Sequence, residues 1–150
     1  NILQKMKKIL TLIVLFNLFI AIESHSKESF FEEAKNKYDQ KKMEDSKFLF
    51  QRNIVFNPKD SKSYLYLAKI YNFEKNEVEE LKNLKTTLLL DSENEEAMKM
   101  LIDIELEKSN FSEVKDLTKK FEIICSKLCS KTKDIKERLK EIEANTKNKE

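Results

Sequence analysis

The chain has 150 residues, 40% of them hydrophobic and 37% charged, which suits one strongly solvated helical domain. Gly is absent and Pro occurs once, so the phosphate-cradling loops, dinucleotide fingerprints and nucleophile elbows that need Gly cannot take their usual form. With 29 basic against 27 acidic residues the net charge is +2, and this mixed balance argues against nucleic-acid binding through many phosphate contacts.

The first predicted element is an address. After Met6 come Lys7 and Lys8, then an apolar run over residues 9–22 broken only by Thr11 and Asn17, then Glu23, Ser24, His25 and Ser26. A positive start, about 7–15 apolar residues and a small-residue exit describe a secretory signal peptide. The run is shorter than the roughly 20 residues of a membrane-spanning helix. Residues 1–24 are therefore expected to be a signal segment, with residues 1–5 upstream of a start at Met6. Cleavage after Ala21 or Ser24 is expected, an uncleaved anchor and a buried core helix being the alternatives. The Lys- and Asn-rich composition resembles that of AT-rich bacterial genomes. The mature protein is then expected to be exported, periplasmic or secreted, or tethered to the inner membrane through residues 9–22 if these are retained.

Beyond the address the sequence repeats. Tyr64, Leu67, Ala68 and Tyr71 form an aromatic-x2-Leu-small-x2-Tyr pattern, and Met98 and Leu101 stand 34 residues after Tyr64 and Leu67. Phe56-Asn57-Pro58 and Leu90-Asp91-Ser92 close successive units at the same spacing. Tyr64, Leu67 and Tyr71, like Leu81, Leu84 and Leu88, recur at three and four and give apolar helix faces. Ser29-x-x-Glu32 and Ser92-x-x-Glu95 have the form of capping boxes. Asn76 and Asn110 fall at the predicted turns, where Asn best replaces Gly in a left-handed backbone. Lys41 and Lys42 occupy the first such turn, which is expected to be the least defined. Ile135, Leu139 and Ile142 line one face of a charged last helix suited to cover an exposed apolar edge.

This pattern resembles the tetratricopeptide repeat family over repeats 27–60, 61–94 and 95–128, followed by a capping helix at 130–145 and a frayed tail at 146–150. Residues 25–145 would form one domain. The second repeat carries the family's first-helix pattern nearly intact. The first has Phe30, Ala34, Phe50 and Pro58 but Glu33 and Ser46 in apolar or small slots, and the third is the most degenerate. The resemblance implies an all-α, right-handed superhelical array of antiparallel helix hairpins with a concave groove. Ala34 and Ala68 stand where helices approach closely, and Ile102 at the third such place is expected to loosen the packing of the last hairpins.

By position, the resemblance places Phe31, Lys35, Tyr38, Leu65, Tyr66, Lys69, Phe73, Met100, Asp103 and Leu106 along the groove. Aromatic and Met side chains supply contact area at binding surfaces. The alternative is that part of this stripe is core, or is covered by the tail helix. The family's clamp for chaperone tails needs Lys, Asn and Arg at places that here hold Phe31, Lys35, Tyr66, Glu96 and Met100, so that mode is not expected. Cys125 and Cys129 allow a disulfide, best if the helix breaks at residues 126–128, or two packing thiols. A metal site would need more ligands than His25, the one His, can add. No cofactor, metal or catalytic constellation is expected. The expected role is a non-enzymatic envelope adaptor or scaffold that binds a segment of another protein, a self-assembling or membrane-tethered structural subunit being the alternative.

Overall fold

A computed structural model describes residues 26–147, together with the isolated Gln4. The address read in residues 1–24 lies outside the residues described. Seven α-helices and no strands are present among the described residues. They are α1 (Ser26–Asp39), α2 (Met43–Phe56), α3 (Ser61–Phe73), α4 (Glu77–Leu90), α5 (Glu95–Glu107), α6 (Phe111–Ile124) and α7 (Lys131–Lys147). None of the described helices is long and apolar enough to cross a membrane. The chain divides into two compact units, Asn1–Pro58 and Lys59–Glu150.

In the first unit α1 and α2 form a hairpin. Small residues bring the two helices together: Ala34 is fully buried, and the buried Ser46 donates its hydroxyl proton to the Ala34 carbonyl at 2.8 Å. The Ser in a small-residue slot thus satisfies its own polar group at the contact. Phe31 meets the buried Phe50 edge to face at 5.6 Å, and Phe30 stacks on Phe56 at 5.8 Å with the Arg52 guanidinium 4.4 Å above it. Such aromatic pairs add about 0.5–1.5 kcal/mol beyond the area they bury.

In the second unit α3–α4 and α5–α6 are hairpins, and α7 lies against α5 and α6. The starts of α2, α4 and α6 fall at residues 43, 77 and 111, and their ends at 56, 90 and 124, all at a spacing of 34. One core joins Leu65, Ala68, Leu84, Ala97 and Ile104 between successive hairpins. A second gathers Ile102, Leu106, Val114 and Phe121 beneath Ile135 and Leu139 of α7. Ile102 is fully buried, and α5 approaches α6 less closely than α3 approaches α4. A branched side chain takes up space that Ala68 leaves to the backbone.

The turns correct the sequence reading. Lys41, Lys75 and Ser109 hold φ of 63°, 59° and 57°, again 34 residues apart. At each, two amides reach back in the Schellman pattern: Lys42 to Lys37 and Lys41 to Tyr38, Asn76 to Tyr71 and Lys75 to Asn72, Asn110 to Glu105 and Ser109 to Leu106. The left-handed residue is therefore the one before Asn76 and Asn110. The first turn carries the same hydrogen bonds as the others. Asn76 serves instead as N-cap of α4, accepting from the Glu79 amide at 3.3 Å. Asn94 caps α5 from the Ala97 amide at 3.0 Å, displacing the expected Ser92 box, and Ser29 lies inside α1. A left-handed backbone costs a residue with a Cβ about 1–2 kcal/mol. Lys75→Gly should therefore raise stability by about 0.5–1 kcal/mol, less than the full strain because Gly loosens the unfolded chain. Thermal unfolding of the two proteins side by side checks this.

Candidate protein-binding face

Within the second unit, α3 and α5 share a core through Leu65, Ala68, Ala97 and Ile104. The Lys69 ammonium of α3 pairs with Glu96 of α5 at 2.8 Å and sits 4.7 Å over the Tyr66 ring. One cation thereby fixes the aromatic side chain and ties two hairpins. Phe73, one turn beyond Lys69, is 67% exposed. Met100 of α5 is half-buried against the core of Leu65, Ala68 and Leu84. Tyr66, Lys69 and Phe73 thus follow one another along α3, with the Lys69 cation between the two aromatic positions.

Next to it opens a cavity of about 280 Å³, lined by Asn72 and Lys75, by Glu77 and Glu80 of α4, and by Met100, Asp103, Ile104 and Glu107 of α5. Glu80 is buried, and its carboxylate accepts from Asn72 Nδ2 at 3.1 and 3.2 Å. Burial pushes the Glu80 carboxyl above its usual range. The Asn72 hydrogen bond opposes that rise, and the negative Glu107 and Glu77 add to it. Glu77 is itself paired with Lys108 at 2.6 Å.

The residues expected to line a groove divide by environment. Leu65 and Leu106 are 7% and 1% exposed and belong to the cores, because stacking of neighbouring hairpins buries the flanks of α3 and α5 as well as their inner edges. Asp103 pairs with Lys99 on its own helix and accepts from Arg138 Nη1 of α7 at 2.7 Å. Its charge holds the last helix rather than facing open solvent. Tyr66, Lys69 and Phe73 lie at steps of three and four along α3, and Met100 lies half-buried on α5. Phe31, Lys35 and Tyr38 are half-buried on α1 in the other unit, where Lys35 pairs with Asp39 at 2.9 Å.

Sequence reasoning missed the buried Glu80, the Arg138 to Asp103 link and the role of Glu95. Glu95 opens α5 and accepts from the Ser126 amide at 2.8 Å and hydroxyl at 2.7 Å, from the Lys127 amide at 3.0 Å and from the Leu128 amide at 2.7 Å. These donors hold its carboxyl down to about 2, the Ser126 hydroxyl contributing most and the Leu128 amide next. The helix does break after Ile124, and Cys125 and Cys129 are joined with their Cα atoms 5.2 Å apart. No group of three or more His, Cys, Asp or Glu is arranged to hold a metal among the described residues.

No protein-family model matches the chain, and no curated protein matches its sequence at a significant level. Solved structures do share its fold. The chain is similar to the type III secretion translocator chaperone SycD of Yersinia enterocolitica, with a TM-score of 0.70 at 16% identity over 83% of this chain and 88% of that one. A structure of SycD in complex with a peptide of the translocator YopD matches with a TM-score of 0.68 at 16% identity, over 79% of this chain and 93% of that one. An alternative dimer of SycD matches with a TM-score of 0.67 at 16% identity, over 81% and 94%. The fold is accordingly all-helical and tetratricopeptide-like.

Proposed function

We propose that this chain is a non-enzymatic protein-interaction module that holds a segment of another protein on the α3–α5 face. The observation that carries the reading is the likeness of its fold to SycD, which has been solved with a translocator peptide bound. The face itself supports the same reading, since Tyr66, Phe73 and Met100 supply the aromatic and thioether contacts on which binding energy concentrates. Lys69 and Glu96 form an ion pair beside the Tyr66 ring. Export to the cell envelope is a further part of the proposal and is supported by the pattern of residues 6–24 alone. Amino-terminal sequencing of the native protein tests that part.

A photo-crosslinking residue in place of Phe73, with one in place of the remote Lys85 as control, should capture a partner segment in the native cell. Against that segment, Tyr66→Ala combined with Phe73→Ala should weaken binding at least ~tenfold, with helical circular dichroism unchanged. Unaltered affinity would remove this face as the interface.

A second reading, self-assembly, is favoured by one specific feature. Leu89 on α4 and Ile123 on α6 are 84% and 83% exposed at equivalent places of successive hairpins. Light scattering that shows a dimer lost on Leu89→Ser with Ile123→Ser would support assembly, and a concentration-independent monomer would end it.

A further inference from the structure

The segment between α6 and α7, residues 125–130, is tied down three times over. Cys125 and Leu128 pack against the core beneath α7. The Glu95 carboxylate takes the amides of Ser126, Lys127 and Leu128. The disulfide from Cys125 to Cys129 closes the same turn into a ring of five residues. The turn then leads straight into α7, whose first amides return to it: Lys131 to the Leu128 carbonyl at 2.8 Å and Thr132 to the Cys129 carbonyl at 3.1 Å.

Helix α7 is otherwise held by Ile135, Leu139 and Ile142, by Arg138 on Asp103, and by the exposed pairs of Lys136 with Glu122 and Lys115 with Glu143. It touches only α5 and α6 among the described helices with several contacts, and so belongs to the part of the unit that opens first. When α7 lifts, residues 126–130 gain freedom. A ring of five residues removes part of that freedom, and the loop-closure relation sets the effect at up to about thirtyfold in the lifted population.

We propose that the disulfide and Glu95 form a two-part latch, and that reduction of the disulfide lets α7 lift from the α5–α6 pair more often. Cys129 is exposed while Cys125 is half-buried against the core, so the sulfur of Cys129 is the accessible one. The reductant is a dithiol. Its first thiolate attacks the Cys129 sulfur, forming a mixed disulfide and releasing Cys125 as a thiolate. Its second thiolate attacks its own sulfur in that mixed disulfide and releases Cys129. The dithiol leaves as a cyclic disulfide, having given two electrons, and the two cysteines finish as thiols with two protons taken up overall. Because the Glu95 hydrogen bonds survive reduction, the turn is loosened and not lost. Lifting of α7 uncovers the apolar surface of Leu106, Val114 and Phe121, which makes this a redox-set opening of one end of the unit.

Amide hydrogen exchange on the full chain tests the latch, comparing air-oxidised protein with protein held in dithiothreitol. The α7 amides should exchange about tenfold faster after reduction, while those of α3 and α4 change by less than about twofold. Cys125→Ser with Cys129→Ser should match the reduced protein and ignore dithiothreitol. Glu95→Gln should speed α7 exchange in both redox states. Equal α7 exchange in the oxidised and reduced protein overturns the proposal, as do free thiols in the oxidised protein or an equal acceleration in α3 and α4. If the double variant fails to fold, the oxidised and reduced natural sequence decide the matter between them.

Discussion

Phe121→Ala is expected to remove about 3–5 kcal/mol of folding free energy, the range for truncating a fully buried aromatic ring. Phe121 has no exposed surface and sits where α6 meets α5 and α7, so its ring fills space that three helices share. Rigid backbones on several sides prevent collapse into the hole, which places the effect high in the range. Domain stabilities are about 5–15 kcal/mol, so the loss is a large fraction of the total. A urea titration followed by helical circular dichroism should show a lower midpoint at similar slope. Phe73→Ala offers the contrast on the same residue type: at 67% exposure its stability change should stay within about 0.5 kcal/mol. A loss below about 1 kcal/mol for Phe121→Ala would mean that α7 does not seal this core.

Glu80→Gln is expected to stabilise the protein at neutral pH, because burial and the negative Glu107 and Glu77 disfavour the charged carboxylate. The carboxylate is buried with Asn72 as its hydrogen-bond donor and with Glu77 and Glu107 as negative neighbours. An amide in its place keeps an acceptor for Asn72 and sheds the charge. The sign with pH follows from the raised pKa. Between the unfolded value near 4.5 and the higher folded value, the folded chain binds more protons than the unfolded one, so stability falls as pH rises. Below that window the carboxyl is protonated in both states and the penalty is absent. The advantage of Glu80→Gln should therefore be small at pH 4 and grow as pH rises through the window. Thermal unfolding at several pH values reads this directly. A variant that is equally or less stable at pH 7 would show that the cavity solvates the charge.

The periodic part of the fold was legible because each hairpin reuses the same contacts. Tyr64, Leu67, Ala68 and Tyr71 announce α3, and the spacing carries from there to the other helices. Ala34 and Ala68, fully buried, mark close approaches that any larger residue would widen, as Ile102 does. Features outside the repeat escaped. Glu95 bonds residues 31–33 positions away, and Arg138 bonds a partner 35 positions back. Pairs of that kind leave no periodic trace, because the residues that end an array have no counterpart within it. Lys41, Lys75 and Ser109 hid the left-handed turns, since backbone hydrogen bonding imposes that conformation whatever the side chain. The candidate face was half legible. Spacing placed Tyr66, Lys69 and Phe73 along α3, but the depth of Leu65 and Leu106 depends on neighbouring hairpins that a helix pattern does not show.

Helix α5 starts 34 residues after α3, whereas α7 starts 36 residues after α5. The apolar stripe of α7 nonetheless keeps the period, since Ile135 stands 34 residues after Leu101 and 68 after Leu67, and Leu139 stands 68 after Tyr71. The turn that supplies the two residues is the one clasped by Glu95 and the disulfide. Helix α7 therefore takes on α5 and α6 the place that α5 takes on α3 and α4, and the clasp of Glu95 and the disulfide fixes it there.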